Sequence, residues 1–369
     1  MKKKLINCFC WPIIVIFFST GFFTWYYRQE IFTVFDGNAI GQAYSQSQYV
    51  LGDQALQKIG DGSLYQYAAQ AYFRGEDPTT INFEHPPLGK YVFGLSLWIF
   101  NRPLVVNIFL YAGCLTLFTF LLKRLKFSTN FILLTIIFIA LGSGLAGHLR
   151  TALFDLQILF WSLSFFIALF IPQENWQKYG LIGLILGMLM ATKYFFPIIF
   201  LFLGLLSIWA WWQHSWLKII FSMGIAGLIY LLSYTSFFLH QHSLIDFAKF
   251  EWFRFRWWTG NRTIPRFIIL QTLFLGKYQA WWESNRSFLP SGDWNFSWPI
   301  IFVGYLTALF SFIRQQLTKE KIIIILYTVG LLSIYLFGSA VYGRYLLQLI
   351  PFWLIIIGWG WQNVKKNQS

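Results

Sequence analysis

The chain has 369 residues, of which 57% are hydrophobic, 22% are aromatic and only 11% are charged. An ordinary soluble domain carries about 25% charged residues, so this composition could not cover a surface with solvated groups. Together with a mean hydropathy of +0.55, these figures exclude a soluble enzyme, a disordered protein and a disulfide scaffold. The net charge of +14 is explained by basic residues in cytoplasmic loops, and we predict no nucleic-acid partner.

Apolar runs long enough to cross a membrane recur along the chain. A spanning helix needs about 20 mainly apolar residues. We predict roughly ten crossings, at 9–27, 104–122, 130–147, 151–171, 179–195, 197–213, 216–238, 298–313, 321–338 and 345–361. The first has no small-residue cleavage site and ends in aromatic residues, which indicates a retained helix and not a signal peptide. The predicted fold is an all-α polytopic membrane bundle, with 1–369 forming a single domain.

The distribution of basic residues tests this topology. With the N-terminus in the cytoplasm, every short connection predicted to be cytoplasmic carries Lys or Arg. These residues are Lys123, Arg124, Lys126, Lys178, Lys218, Arg314, Lys319, Lys321, Lys365 and Lys366. The alternation requires that the short apolar run 89–100 does not cross, and we predict an in-plane or re-entrant helix on the outer face. We therefore predict a plasma-membrane protein with both termini in the cytoplasm and two long extracytoplasmic loops, 28–103 and 239–297.

The first external loop holds seven of the chain's 14 acidic residues and the most specific motifs. Asp61-Gly-Ser-Leu-Tyr65 opens a predicted helix over 61–73. The stretch Phe83-Glu84-His85-Pro86-Pro87-Leu88-Gly89-Lys90 follows. Three further motifs come later in the chain, namely Arg150-Thr-Ala-Leu-Phe-Asp155, a glycine-rich stretch before Thr192-Lys193, and Tyr342-Gly343-Arg344-Tyr345-Leu346.

These motifs, in this order, resemble those of the GT-C superfamily of membrane glycosyltransferases, in particular the protein O-mannosyltransferases and the aminoarabinose transferases of the lipid A pathway. The resemblance runs through most of 1–361 and is weakest in 239–297. It implies a GT-C-type bundle that moves a monosaccharide, with inversion, from a polyprenyl-phosphate carrier to a hydroxyl of a protein, lipid or glycan acceptor. Gly62 departs from the pattern, because many relatives have Glu there. The shortness of the chain argues against an oligosaccharyltransferase.

Such a transfer needs a base to accept the proton of the acceptor and positive charge to stabilise the departing phosphate. Asp61 is our candidate base, with helix capping as its structural alternative. Asp36 is the chief rival and Asp53 the third candidate. Glu84 is a candidate to orient the acceptor or to bind a divalent cation, Mg²⁺ or Mn²⁺, although it could also satisfy a backbone turn.

The resemblance also implies contacts to the carrier phosphate. The candidate phosphate-binding residues are His85, Lys90, Arg150, Lys193 and Arg344, and the candidate supporting residues are Asp155, Tyr65 and Tyr345. Three of these cations have a structural alternative: a capped turn beside proline for His85, a snorkelling interfacial side chain for Lys90, and an ion pair between helices for Arg150 with Asp155.

The second external loop alternates basic and aromatic residues. Over 246–266 the chain interleaves Arg254, Arg256, Arg262 and Arg266 with Phe and Trp, and Trp281, Trp282, Trp294 and Trp298 follow. In a soluble protein, such a pattern would indicate binding of single-stranded nucleic acid. In a membrane protein, it indicates an interfacial amphipathic helix that contacts lipid headgroups.

Two other functions remain open. One is a transporter or flippase for a polyprenyl-linked sugar. The other is a non-catalytic protein that binds the carrier lipid and partners another transferase. The acids gather in external loops instead of near the midplane of the bilayer, and no inverted repeat is visible, which argues against the transporter.

Overall fold

The computed structural model describes residues 2–142, 144–193, 196–260, 266–279, 287–292, 294–313, 315–338 and 342–368, with side chains between residues 11 and 362. The first nine helices are α1 (Lys2–Tyr26), α2 (Arg28–Ile31), α3 (Gly37–Ser45), α4 (Gln48–Leu51), α5 (Asp61–Phe73), α6 (Leu88–Phe100), α7 (Val105–Arg124), α8 (Thr129–Gly142) and α9 (Asp155–Leu169). Arg262, Trp281, Trp282 and Arg314, together with the side chains of Lys365 and Lys366, lie outside this description.

The remaining helices are α10 (Trp176–Thr192), α11 (Phe196–Trp212), α12 (Trp216–Ser233), α13 (Thr235–Leu239), α14 (Leu244–Gly260), α15 (Ile268–Leu275), α16 (Ser297–Ser311), α17 (Lys319–Gly338) and α18 (Ile350–Gln368). Short 3₁₀ helices cover Gly52–Gln54, Leu145–Arg150 and Gly343–Gln348. Strands β1 (Lys277–Gln279) and β2 (Phe288–Pro290) pair antiparallel, with Tyr278 opposite Leu289.

Each of the ten predicted crossings coincides with a helix of the bundle. Within the described part of the chain, α7, α12 and α17 are each long and apolar enough to span a membrane by length and composition, and shorter apolar helices accompany them. Large apolar side chains are exposed on the bundle, as contact with lipid requires. Examples are Phe17, Leu134, Phe200, Leu217 and Phe310. The prediction of an all-α membrane bundle is confirmed.

Several predicted helix boundaries differ from the structure, and two of them lie next to the candidate site. The crossing predicted at 130–147 ends at Gly142, because Gly144 adopts a left-handed conformation with φ of 82° that cannot continue an α-helix. The crossing predicted at 345–361 begins only at Ile350, where Pro351 occupies the first turn and its missing N–H leaves no helical bond unmade. In both places a 3₁₀ helix adjoins the α-helix and carries an arginine of the candidate site.

Helix α10 approaches α12 closely because glycines line their interface. A Cβ atom on Gly183 would lie 2.5 Å from the carbonyl oxygen of Ser222, and one on Gly187 would lie 2.6 Å from Cβ of Ile229. Small residues let helix backbones approach in this way in membranes. Helix α10 also packs against α9, so this contact fixes the end of α10 that leads into Lys193.

The long loops fold onto one end of the bundle. Helix α5 spans the range predicted for it and packs against α6, which in turn contacts α7 and α10. A buried amide anchors this end: Nδ2 of Asn107, on α7, donates to the carbonyl oxygens of His148 at 3.1 Å and Thr151 at 2.9 Å. The candidate functional residues of the first loop therefore rest on the bundle's helix ends.

Candidate functional site

Asp61 is the first residue of α5, and its side chain does not cap the helix. Gly60 takes the N-cap position and makes no side-chain cap bond. The Asp61 carboxylate instead accepts a hydrogen bond from Nη2 of Arg344 at 2.9 Å and another from the hydroxyl of Tyr49 at 3.4 Å. Its side chain keeps 34% exposure, so one face remains open to a bound molecule.

Arg344 also contacts a second acid. Its Nε lies 3.7 Å from Oδ2 of Asp155, and Nζ of Lys193 lies 3.8 Å from Oδ1 of the same residue. Asp155 is buried, with 2% side-chain exposure, and its position is fixed where α9 begins. Two acids and two bases thus alternate at one end of the bundle, joined by ion pairs. We call Asp61, Asp155, Lys193 and Arg344 the ion cluster.

The contacts around Asp155 are long for hydrogen bonds. Among the described residues, Oδ1 of Asp155 and Nε of Arg344 have no hydrogen-bond partner although both are buried. Buried polar atoms without a partner are costly and mark a place where a ligand hydroxyl or a water would be stabilised. The ion cluster is therefore held by charge and remains able to accept further polar groups.

Tyrosine rings frame the ion cluster. Nζ of Lys193 lies 4.5 Å from the ring centroid of Tyr345, which is stacked on Tyr335, and the guanidinium of Arg344 lies 4.2 Å from the ring of Tyr342. Aromatic faces attract such cations, so these rings restrict where the two basic groups can go. On the other side, Tyr65 is stacked on Phe154 at 4.1 Å.

The His-Pro-Pro segment packs beside this cluster. His85 is 6% exposed and its ring makes edge contacts with Tyr65 at 6.1 Å and Phe154 at 5.9 Å. Glu84 is half-buried. Burial raises the pKa of the Tyr49 phenol, and the negative charges of Asp61 and Glu84 raise it further. Tyr49 therefore stays protonated and donates to Asp61.

The side chain of Lys90 is buried and bonded to backbone carbonyl oxygens. Its Nζ donates to the carbonyl oxygens of His85 at 2.7 Å and Asn82 at 2.8 Å, and its side chain is fully buried beside Tyr72. Burial lowers the pKa of the Lys90 amine, the nearby Arg254 lowers it further, and Glu84 raises it. In this structure Lys90 holds the turn before the prolines, and it is not a snorkelling side chain.

Arg150 is exposed, and its guanidinium lies 5.5 Å from the ring centroid of Tyr27, at the end of α1. The segment after it passes close to the start of α5, because a Cβ on Gly62 would lie 3.7 Å from the backbone nitrogen of Ala152. The backbone that follows Arg150 therefore lies beside the start of α5, and the ion pairs of Asp155 are made with Lys193 and Arg344 and not with Arg150.

Asp36 and Asp53 occupy other places. Asp36 caps α3, where its Oδ1 accepts hydrogen bonds from the backbone nitrogens of Asn38 and Ala39 at 3.0 Å each. The neighbouring Gly37 packs against Gln70, nine residues along α5 from Asp61, which is about 14 Å at 1.5 Å per residue. Asp53 lies exposed in the 3₁₀ turn Gly52–Gln54. Neither acid joins the ion cluster.

Sequence reasoning missed three contributors. Tyr49 reaches Asp61, Asn107 fixes the 148–151 segment, and Trp258 of α14 stacks on His85 with ring centroids 5.3 Å apart. Tyr49 and Asn107 belong to no motif, so no signal in the sequence could have found them. Trp258 lies in the stretch 246–266, whose pattern indicated an interfacial amphipathic helix. Its contact with His85 depends on tertiary packing.

A divalent cation finds no suitable ligand set here. Within the described ranges, no three His, Cys, Asp or Glu side chains lie close enough together to hold a metal ion. Asp61 and Asp155 each face a basic side chain, which would repel a divalent cation. The described residues do not fit Mg²⁺ or Mn²⁺, and no reaction step is assigned to either ion.

No protein-family model matches the sequence, and no curated protein matches it. Two solved structures of ArnT, an aminoarabinose transferase, from Cupriavidus metallidurans are similar in fold, one bound to undecaprenyl phosphate with a TM-score of 0.57 and one in the apo state with 0.54. Identity is 12% in both cases, and the match covers 82% of this chain but only 56% and 55% of those chains. The chain thus spans a little over half the length of ArnT. The chain therefore shares the helical membrane fold of the ArnT structures.

Proposed function

We propose that the protein is an inverting glycosyltransferase that moves a hexose, such as mannose, from a polyprenyl-phosphate carrier to a hydroxyl acceptor. One observation carries the proposal. In a GT-C fold, a partly open carboxylate, Asp61, is oriented by Arg344 at the end of the bundle where the other candidate residues meet. The ArnT structure with the same fold was solved with undecaprenyl phosphate bound.

The proposed chemistry is a single displacement. The acceptor oxygen forms a bond to the anomeric carbon while the bond from that carbon to the phosphate oxygen breaks, so the configuration at the carbon inverts. The acceptor's proton passes to the Asp61 carboxylate, and the bonding electrons leave with the carrier phosphate. A general base of this kind contributes roughly 10²–10⁴-fold to a rate.

Positive charge beside Asp61 would stabilise the departing phosphate. Arg344 and Lys193 are the basic groups of the ion cluster, and Arg150 and His85 lie on its borders. We assign the phosphate contacts to these four residues. Lys90 is given a supporting role, because its ammonium group already donates to two backbone carbonyls.

We further propose that the site faces the extracytoplasmic side of the plasma membrane. Asp61 and Arg344 lie at the bundle end opposite the basic residues Lys123 and Arg124, which close the last turn of α7. The positive-inside rule would then hold that last turn in the cytoplasm.

A second candidate function is binding of the carrier lipid without catalysis. It is favoured by Gly62, which stands where many relatives have a second carboxylate, and by the ion pair that already neutralises Asp61. A transporter is less well supported, since Asp155 begins its helix and the ion cluster therefore lies at a helix end instead of mid-membrane.

Native mass spectrometry and a transfer assay separate these functions. Purified protein is mixed with undecaprenyl phosphate, then with mannosyl-phospho-undecaprenol in membranes that supply acceptors. We expect wild type and Asp61→Asn to bind both lipids, and only wild type to release the sugar. Asp36→Asn is the matched control and should keep activity, because Asn caps helices as well as Asp does.

Failure of wild type to bind either lipid would refute the carrier-dependent function. Binding without transfer by wild type would favour the non-catalytic alternative. Full transfer by Asp61→Asn, together with its loss in Asp36→Asn, would move the base to Asp36.

A further inference from the structure

Helix α14 packs against the segment that precedes the two prolines. The Phe83 ring contacts the rings of Phe253 and Trp257, with centroids 5.4 Å apart in each case. Two aromatic side chains on one turn of α14 thus pack against Phe83. The contact joins the second external loop to the first, across about 170 residues of sequence.

The next two residues of that segment meet Trp258. Its indole Nε1 donates to the carbonyl oxygen of Glu84 at 2.9 Å, and its ring lies nearly parallel to that of His85, with centroids 5.3 Å apart and planes inclined by 29°. The His85 ring therefore has Trp258 over one face and the edges of Tyr65 and Phe154 at its sides. Its orientation is defined by both loops.

Helix α14 itself is held firmly at this point. Arg254 is fully buried and binds Glu251 on its own helix and the hydroxyls of Tyr230 and Tyr234 on and after α12. The opposite face of α14 exposes Trp252, 61% accessible, and Arg256. One face of α14 thus meets the surroundings while the other holds the His-Pro-Pro segment.

We propose that Trp258 is a positioning residue that fixes the His85 ring for contact with the carrier phosphate. The inference rests on the proposed function and goes beyond it by giving the second loop a defined part in carrier binding. The indole does so in two ways: its N–H fixes the backbone at Glu84, and its ring limits rotation of the His85 ring. Trp258 acts through His85 and needs no contact with the carrier.

A double-mutant cycle on carrier affinity tests this directly. Undecaprenyl phosphate is titrated against wild type, Trp258→Ala, His85→Ala and the double variant, with populations read by native mass spectrometry. Trp258→Ala removes one aromatic stack and one hydrogen bond, so we expect it to weaken carrier binding about tenfold. In the His85→Ala background we expect no further loss, because residues that act through one another are not additive.

Two more variants keep the cycle interpretable. Trp258→Phe retains the ring but not the N–H, and should lose only about fivefold, the equivalent of one hydrogen bond. Trp252→Ala removes a tryptophan from the exposed face of α14 and should bind as wild type does. Additive effects of Trp258→Ala and His85→Ala, or tighter binding by Trp258→Ala, would overturn the inference, since tighter binding means that the indole shields His85 from the carrier.

A second measurement stands apart from carrier binding. Diethyl pyrocarbonate modification of His85 is followed by peptide mass mapping, with His214 and His240 as internal references. We expect Trp258→Ala to speed modification of His85 alone, and Trp258→Phe to leave it slow. An unchanged modification rate of His85 in Trp258→Ala would refute the positioning of His85 by Trp258, whether or not wild type binds the carrier. Failure of wild type to bind the carrier would refute only the proposed function.

Discussion

The guanidinium of Arg344 lies between the carboxylates of Asp61 and Asp155, 2.9 Å from the first and 3.7 Å from the second. One carboxylate is partly open and the other is buried, so a single arginine joins an accessible acid to an inaccessible one. Breaking a buried ion pair from one side leaves a charge without compensation, which costs far more than the pair contributes.

Arg344→Gln should therefore destabilise the protein by about 3 kcal/mol, because Asp155 would lose one of the two basic side chains with which it forms ion pairs. Adding Asp155→Asn should restore most of that loss. Thermal unfolding in detergent measures both effects, with Arg256→Gln, on the exposed face of α14, as the control. Equal stability of Arg344→Gln and wild type would show that the ion cluster contributes nothing to folding.

Lys90→Met keeps the length of the side chain and removes its donors. The carbonyl oxygens of Asn82 and His85 would lose a hydrogen bond inside the protein, at a cost of about 1–3 kcal/mol. We expect a lower unfolding temperature and weakened carrier binding, both from the altered turn. Weaker binding at unchanged stability would instead indicate that Lys90 contacts the phosphate itself.

The glycines of α10 give a test with a control on the same helix. Gly183→Ala would force a methyl group to within 2.5 Å of the Ser222 carbonyl, and overpacking of this kind costs about 1–3 kcal/mol. At Gly180 the nearest atom is a ring carbon of Phe221 at 3.5 Å, which is ordinary contact. Thermal unfolding should find Gly180→Ala tolerated and Gly183→Ala destabilised, and the reverse order would contradict the helix contact described here.

Asn107→Leu tests the support beneath Asp155. The amide of Asn107 is fully buried and donates to carbonyl oxygens of His148, Leu149 and Thr151. Its loss should cost about 1–3 kcal/mol and shift the segment that leads into α9. Activity and carrier binding should both fall, because Asp155 and the Arg344 attached to it would move. A fully active Asn107→Leu would remove this segment from the site's support.

The sequence predicted the bundle because long apolar runs and basic connections report directly on membrane crossing. It could not separate Asp36 from Asp61, since each is followed by glycine and each lies at the start of a helix. The structure separates them by one residue of register: Asp36 is itself the N-cap of α3, whereas Gly60 takes that position before Asp61. Asp61 is thereby released to meet Arg344.

The contacts between distant loops could not be predicted from the sequence, for a different reason. Aromatic residues make up 22% of the chain, so neither Tyr49 nor Trp258 stands out among them. Their roles arise from the packing of α4 against the start of α5 and of α14 against the His-Pro-Pro segment, and no periodicity or motif reports on such contacts. The roles of Lys90 and His85 likewise depend on which way the turn before the prolines faces.

The order in which the ion cluster is completed matters while the chain is being made. Asp61 and Asp155 emerge from the ribosome early, and Arg344 follows 283 residues after Asp61. During that interval both acids lack this basic partner at the membrane boundary. The ion cluster can therefore be completed only after most of the chain has been synthesised, so its charge pairing depends on the last helices being in place.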